Sequence, residues 1–487
     1  MTQPAAQRDA NRGLQKALDH LTTHNISRRR DMSWPVFLVE LLRVASTLEH
    51  KLMVQYLFAA YSLGGPQVPE QYRDNVRAWQ ESLLTVAREE MGHLLTVQNI
   101  LTFLGAEVSF ATGEFAWEVP YFPYEAVSLD SLACYVYVEM NTTDIFPEKE
   151  EIMKRACAHA RVSVDKLIPV EELYAVIIAL LGDLEKIPES ALRPDSYLSQ
   201  ASWDDWGRGY QPDPRSLDAE GSLDDGRPAP ADHHRAILLI NNVCTRTQAI
   251  AALTALSTQG EGPSIRPGKR IALSPDSEAY TEEGTDPREP SHFERFIKFY
   301  REMKKLCEGG WQPALPVATN PSTVEVPAGT YISSKRARDW AELFNMRYRM
   351  LLMLLTHTFR LARSSRPDEP SVRAVTMHRV FGEMYNLKTI ATLLVQMPLS
   401  DDPADPRRAG PPFRLPNTHS LPPTDADCWS LDIDMLKTAD GICREILLEE
   451  TQTPNRNYLL TLLDLDNQRI KRIEKILTGL SSMERYS

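Results

Sequence analysis

Residues 87–104 read AREEMGHLLTVQNILTFL, and their pattern is typical of a helix packed in a bundle. Leu83, Ala87, Glu90, Leu94, Val97, Leu101 and Leu104 follow one another at alternating steps of four and three, and all of them except Glu90 are apolar. That spacing predicts one buried helical face, and Glu90 occupies a position in the same stripe. Because a charged carboxylate alone in an apolar core is costly, Glu90 should be paired, protonated or bound to a metal.

The Glu90–His93 pair raises the possibility of a metal site. The two residues are one helical turn apart, so both side chains can reach a single point between helices. Glu-x-x-His is the ligand unit of di-iron and di-manganese carboxylate bundles. The motif is short and often arises by chance. The alternative is a Glu and a His on a partly exposed flank, beside solvated Arg88 and Glu89. A prediction of metal binding therefore requires that other helices also direct acidic residues inward.

The composition narrows the class of protein and its partners. Of the 487 residues, 43% are apolar and 25% charged, as in soluble globular proteins. The net charge of −12 argues against nucleic acid or an anionic membrane as the main partner. No apolar run approaches the ~20 residues that span a bilayer, and the N-terminus has no secretory signal. Six scattered cysteines without a Cys-x-x-Cys pair suit a cytoplasmic location.

A first bundle helix is predicted to begin at Ser33, which can cap it, and to end at Gly64. Glu49 falls on the apolar side of this helix, so a second carboxylate would point inward. The alternative is that Glu49 lies at the edge of the stripe and pairs with Lys51 or an arginine. The second helix, over residues 71–104, should end at a glycine suited to terminate it.

The third bundle helix is predicted to open near residue 168 and to run to Leu184. Glu172 can share a face with its apolar residues and is the candidate carboxylate from this helix. The helix dipole also favours acidic residues in a first turn, whatever their other role. An earlier helix over residues 129–140 ends near Glu139, which either faces inward or belongs to a loop; the loop is favoured.

The last ligands are expected after a Pro-, Asp- and Gly-rich insertion over residues 186–235, which is predicted to cover a site. A helix beyond it ends around Glu261, where neighbouring glycines allow close approach of the backbone. After a polar loop, Ser291 and Glu294 form a capping box that holds His292 in a first helical turn. Glu261 and His292 could together replace the Glu-x-x-His pair expected from a fourth helix.

The chain divides into four predicted parts. They are an N-terminal arm over residues 1–32, a metal-binding bundle over 33–307, a Pro-rich connection over 308–334 and a C-terminal helical domain over 335–487. Prolines at 367, 398 and 454 separate the helices of the last part. Because no inward Glu-x-x-His pair occurs there, its Met- and Leu-rich stripes are expected to form core.

Six residues would form one site if the bundle brings them together: Glu49, Glu90, His93, Glu172, Glu261 and His292. Four carboxylates and two imidazoles are the ligands of a di-iron carboxylate centre. Glu49, Glu90 and His93 are the expected catalytic residues as well as ligands. Oxygen and imidazole ligands without a thiolate favour iron, ferrous in the resting state, with manganese as the second metal. Such a centre can use O2 to oxidise a C–H or N–H bond of a nearby substrate.

Several stretches resemble, in order, one enzyme family: LEHKLMVQYLFAAYSL (48–63), EEMGHLLTVQNILTFLGA (89–106), EELYAV (171–176), STQGEGP (257–263) and SHFERF (291–296). They are similar to the ferritin-like domain of the iminophenyl-pyruvate dimer synthase family, found in bisindole pigment biosynthesis such as the violacein pathway. MYNLKTIATLLVQMPL (384–399) and AGPPFRL (409–415) resemble its downstream helical region. The resemblance implies a mainly α fold, a ferritin-like four-helix bundle with long insertions followed by a second helical region. It places the six residues above at the family's acidic and histidine positions.

The resemblance also implies a function. The bisindole synthases carry a further large N-terminal region that this sequence lacks, so we expect a stand-alone oxidative enzyme of a biosynthetic pathway. Its expected partners are O2 and a small amino-acid-derived substrate, with a homodimer or a pathway enzyme as protein partner. Two alternatives stay open: a ferritin-like synthase that couples or rearranges imines, and a metal-binding scaffold for another pathway enzyme.

Overall fold

The computed structural model describes residues 18, 27–110, 123–141, 144–160, 170–202, 211–212, 237–238, 240–261, 290–327, 329–361, 372–415 and 420–484. These residues fall into two compact units. The first unit contains the described residues within Met1–Val108, Gly113–Pro123 and Val127–Ala314, and the second those within Ser109–Thr112, Tyr124–Ala126 and Leu315–Ser487. Most of the predicted N-terminal arm and of the insertion over residues 186–235 lies outside the described residues.

Two long helices, α1 (Trp34–Ser62) and α2 (Arg73–Phe103), form the largest packing interface of the first unit. The Ser33 side chain caps α1 by accepting a hydrogen bond from the Val36 backbone N–H. α2 ends where Gly105 adopts a φ of 72°, a left-handed conformation that glycine reaches without a steric penalty. Both helices were predicted, with bounds that agree within two residues.

Among its described residues the first unit has five further α-helices: α3 (Leu129–Glu139), α4 (Lys149–Ala160), α5 (Val170–Gly182), α6 (Arg246–Glu261) and α7 (His292–Leu306). α3 packs against α4 and α7, while α5 packs against α6 and α1. The predicted capping box of Ser291 and Glu294 is present at the start of α7. α4 was not predicted, because its sequence KEEIMKRACAHA buries only a narrow apolar stripe. Residues 211–212 pair in parallel with 237–238.

α2 lies at the centre of this unit. Every residue from Glu89 to Leu101 is buried, so the helix is enclosed on all sides rather than along one face. The predicted stripe is buried except at Leu104, which follows the last turn, and Glu90 is 1% exposed. The metal-site candidates on α2 are therefore surrounded by other helices and shielded from water.

The second unit contains four helices among its described residues: α8 (Lys335–Arg360), α9 (Val372–Leu394), α10 (Asp425–Glu449) and α11 (Thr453–Glu484). All four of these helices were predicted. Two short strands, Pro321–Ser322 and Thr330–Tyr331, pair in parallel. Its core contains buried ion pairs as well as apolar side chains: Arg347 pairs with Asp466, and Arg379 with Asp432. The predicted mainly α fold is confirmed. No described helix is both long and apolar enough to cross a membrane.

Candidate metal centre

Five buried side chains from four helices converge in the first unit. Glu49 comes from α1, Glu90 and His93 from α2, Glu139 from the last turn of α3, and His292 from the first turn of α7. Each is at most 3% exposed. Their ligand-type atoms form two groups, Glu49–Glu90–His93 and Glu90–Glu139–His292, and within each group the atoms lie no more than 4.8 Å apart.

Glu90 is the residue that the two groups share, and its two oxygens face different histidines. Glu90 Oε2 lies 3.0 Å from His93 Nδ1, and Glu90 Oε1 lies 2.9 Å from His292 Nδ1. Each Nδ1 atom also has a second carboxylate nearby: Glu49 Oε2 is 3.6 Å from His93, and Glu139 Oε2 is 3.6 Å from His292. We call the Glu49–His93 side the first position and the Glu139–His292 side the second position.

Both outer carboxylates are fixed by tyrosine hydroxyls. Tyr174 of α5 donates a hydrogen bond to Glu49 Oε1, and Tyr56 of α1 donates one of 2.6 Å to Glu139 Oε1. In each case the bond occupies one carboxylate oxygen and leaves the other facing a histidine. These hydrogen bonds hold the carboxylates in place inside the core.

The far nitrogens of the imidazoles are also held. His93 Nε2 lies 2.9 Å from Gln259 Oε1 of α6, and His292 Nε2 lies 2.9 Å from Glu89 Oε2. Arg295 donates a 2.8 Å hydrogen bond to the same oxygen of Glu89. An acceptor at Nε2 keeps a proton on that nitrogen and points Nδ1 towards the carboxylates, so that Nδ1 could bind a metal ion once its own proton has left; proteins orient histidine ligands in this way.

The buried Nδ1 atom of His292 is a further reason why these residues fit a metal ion. His292 Nδ1 is fully buried, and among the described residues it has no partner with hydrogen-bond geometry, although two carboxylates are close. A buried polar atom without a hydrogen bond is unusual and needs an explanation, which a ligand bond to a metal would supply. Gly260 of α6 fits the same arrangement, because a Cβ atom there would lie 3.1 Å from Glu139 Oε2.

The protonation of the cluster shows how strongly it attracts positive charge. Burial opposes charge on His93, but Glu90 and Glu49 outweigh it and raise its pKa to about 10. Burial likewise opposes charge on His292, yet Glu90, Glu139 and Glu89 raise its pKa well above the usual value. Burial and the charge of Glu90 raise the pKa of Glu49 to about 7. Two buried imidazoles thus hold protons where cations are favoured, and metal binding would displace them.

A small cavity borders the cluster. It has room for about one water molecule. The outer carboxylates Glu49 and Glu139 line it together with His93, Val170, Ser257 and Gly260. The described residues therefore leave space beside the carboxylates for a molecule of a few atoms only.

Four of the six residues singled out in the sequence are brought together: Glu49, Glu90, His93 and His292. Glu261 is the last residue of α6, and its side chain lies outside the described residues. Its place among the ligands therefore stays a prediction.

Glu172 does not belong to either group of ligand-type atoms. Val170 and Tyr174 are the residues of α5 that face the cluster. Glu172 lies two residues from each of them, which is about 200° around the helix. It is half-buried near α3, where burial and then the charges of Cys157 and Glu172 raise the pKa of Tyr137 to about 12. The acidic first turn of α5 thus fits the alternative reading, that the helix dipole favours it.

Glu139, and not Glu172, lies with Glu90 and His292 in the cluster, so the preference for a loop role of Glu139 was wrong. It is the last residue of α3 and points into the bundle, 3% exposed. Sequence reasoning also missed Glu89, Gln259, Tyr56 and Tyr174. Glu89 entered only the alternative to metal binding, as a solvated residue, because a single stripe indicates a one-sided helix, whereas residues 89–101 of α2 are all buried.

The comparisons with known proteins agree with this architecture. A family model described as ferritin-like matches residues 42–301. The chain is 28% identical over 422 residues to dichlorochromopyrrolate synthase of Lentzea aerocolonigenes, covering 78% of this chain and 36% of that protein. The chain thus spans about a third of the length of this relative. No solved structure gives a significant match.

The helical bundle with its buried carboxylates and histidines defines a protein of the carboxylate–histidine bundle class. The family match covers more than half of the chain and includes α2 entirely, as well as all five converging side chains. The chain belongs to the ferritin-like family. Its similarity to dichlorochromopyrrolate synthase supports the predicted family resemblance and the prediction that it is an enzyme.

Proposed function

We propose that the first and second positions each hold one metal ion, iron in the working protein, and that the protein is an O2-dependent oxidoreductase. The observation that carries this proposal is the placement of Glu90, whose two oxygens each face the Nδ1 atom of a different histidine. That is the arrangement expected of a carboxylate that bridges two metal ions. Glu49 and Glu139 would be the terminal carboxylates, and His93 and His292 the nitrogen ligands.

The donor set favours iron or manganese over zinc. It offers carboxylate oxygens and imidazole nitrogens, and among the described residues neither group includes a cysteine. Glu261 is proposed as a further carboxylate, since its neighbour Gly260 lies against Glu139. A pair of ferrous ions at these positions would supply electrons to O2 and so the oxidising power for a C–H or N–H bond.

The side chains of this protein would prepare and protect that chemistry. Tyr174 and Tyr56 hold the outer carboxylates, and Gln259 and Glu89 hold the imidazoles, so the ligands need not rearrange when the ions enter. The enclosure of α2 excludes bulk water. The cavity has room for a molecule as small as O2, and an organic substrate would stay outside it.

The substrate class is proposed from the relative. Dichlorochromopyrrolate synthase is a biosynthetic synthase, and this chain is proposed to act on an amino-acid-derived metabolite in a comparable pathway. The same similarity favours a second candidate function, a synthase that couples or rearranges imines without using the metal for oxidation. The chain corresponds to about a third of that relative, so the reaction of the whole relative is not carried over.

An oxygen-uptake experiment tests the proposed function. Protein loaded anaerobically with Fe²⁺ is mixed with O2, and oxygen consumption and iron oxidation are followed together. We expect uptake of about one O2 per pair of iron ions, faster than with free Fe²⁺. Glu90→Gln should abolish this uptake, while Glu70→Gln, an exposed change of the same kind, should not.

Two outcomes would contradict the proposal. One is iron-loaded protein that consumes O2 no faster than the buffer containing the same iron. The other is metal-free protein that converts an imine substrate at the full rate, which would favour the coupling synthase instead.

A further inference from the structure

The two positions have matching ligands but different surroundings. Each has one terminal carboxylate, one imidazole and a tyrosine hydroxyl on the carboxylate. The difference lies in the groups that contact the Nε2 atoms of the imidazoles. His93 at the first position contacts the neutral amide oxygen of Gln259, whereas His292 at the second position contacts the carboxylate of Glu89.

The partner of Glu89 strengthens this difference. Arg295 donates to the oxygen that His292 contacts, and both Glu89 and His292 have no exposed side-chain surface. Arg295 thereby fixes the carboxylate and keeps it available as a charged acceptor. A hydrogen bond to a charged acceptor is roughly twice as strong as one to a neutral acceptor. Outer partners of this kind orient histidine ligands, make them stronger donors and change metal affinity by about 10–100-fold.

The cavity adds a second difference. His93 is among its lining residues, and His292 is not. Both positions border this space through a carboxylate, Glu49 at the first position and Glu139 at the second, but only the first position also borders it through its imidazole. An ion at the first position would therefore have more of its ligands next to the space that a water molecule can enter, and would exchange them more readily.

We propose that the two metal positions are inequivalent: the second position fills first and holds its ion more tightly, and the first position fills second and releases its ion more readily. Glu89 with Arg295, and Gln259, are the positioning residues that set this order. The inference rests on the proposed metal pair and adds to it which ion is resident and which is exchangeable.

The test is an anaerobic titration of the metal-free protein with Fe²⁺, followed by calorimetry and by Mössbauer spectroscopy with ⁵⁷Fe. Wild-type protein should bind in two phases whose dissociation constants differ by at least about 10-fold. One equivalent should give mainly one quadrupole doublet, and the second equivalent should add a different one. Such spectra report the environment of each ion and do not depend on activity.

Substituting Glu89 and Gln259, the residues that contact the Nε2 atoms, should change metal binding in opposite directions. Glu89→Gln should weaken the tight phase by about 10–100-fold, and Gln259→Glu should tighten the weak phase. Glu70→Gln and Gln71→Glu are exposed changes of the same kinds and should leave both phases unchanged. Because Glu89→Gln weakens the ion pair with the partly buried Arg295 and could impair folding, Gln259→Glu keeps the test decisive.

Equal dissociation constants in the wild type would overturn this inference and leave the proposed metal pair intact. A Gln259→Glu protein whose weak phase is not tightened would overturn it as well. Wild-type protein that binds no Fe²⁺ would instead overturn the proposed function, and this inference with it.

Discussion

Replacing Glu139 by glutamine should remove one of the two metal ions and leave the fold intact. The change keeps the size of the side chain and an oxygen that can accept the hydrogen bond from Tyr56, but it removes one negative charge. Glu139 Oε2 lies 3.6 Å from His292 Nδ1, where an ion of the second position would be bound. At about 4 Å and an effective dielectric constant of about 20, one pair of unit charges interacts by roughly 4 kcal/mol. Loss of that interaction corresponds to about a thousandfold weaker binding.

The matched control is Glu172→Gln, the same change on a half-buried carboxylate outside both ligand groups. Both variants are loaded anaerobically with Fe²⁺, freed of excess iron and analysed for iron per chain. We expect Glu139→Gln to hold about one ion and Glu172→Gln to hold about two, as the wild type does. Full loading of Glu139→Gln together with loss of iron from Glu172→Gln would refute the assignment of Glu139 and restore Glu172 as the ligand.

Two other changes test separate parts of the structure. Gly260→Ala adds a Cβ 3.1 Å from Glu139 Oε2 and should weaken metal binding by about 10-fold, because sites tolerate only about 0.5 Å of displacement. Gly441→Ala, with nothing near the added atom, should instead raise the free energy of unfolding by about 0.5–1 kcal/mol without affecting metal; equal metal affinities of the two variants would argue against the close contact. In the second unit, burial and the charge of Asp466 raise the pKa of Asp440 to about 6. Because the folded state holds this proton to a higher pH than the unfolded state, stability is lost as pH rises from about 4 to 6. Asp440→Asn should therefore raise the melting temperature more at pH 7.5 than at pH 4, and a gain that is the same at both would contradict this reasoning.

The helices of the bundle could be predicted from the sequence because their signals are local. A helix start such as Ser33, a glycine stop such as Gly105 and the stripe through Glu90 act within a few residues of each other. The capping box at Ser291 predicted the position of His292 for the same reason. These local rules do not depend on which helices become neighbours.

The remaining ligands could not be predicted with the same success, because they depend on how the helices are oriented. Glu139 and Glu172 each lie at a helix end, where the sequence permits an inward or an outward side chain. Only the packing of α3 against α7 and of α5 against α6 determines which carboxylate points inward. Glu89 illustrates the same limit, since its burial follows from helices on both sides of α2 rather than from its own stripe.

The central claim is that one carboxylate, Glu90, faces two metal positions. The most direct measurement is the iron content of anaerobically reconstituted wild-type protein beside Glu90→Gln, with Mössbauer spectra of both. We predict about two iron ions per chain in the wild type, magnetically coupled through the shared carboxylate, and loss of both the coupling and most of the iron in Glu90→Gln. A wild-type protein that binds no iron or a single ion, or a Glu90→Gln protein that still binds a coupled pair, would contradict the claim.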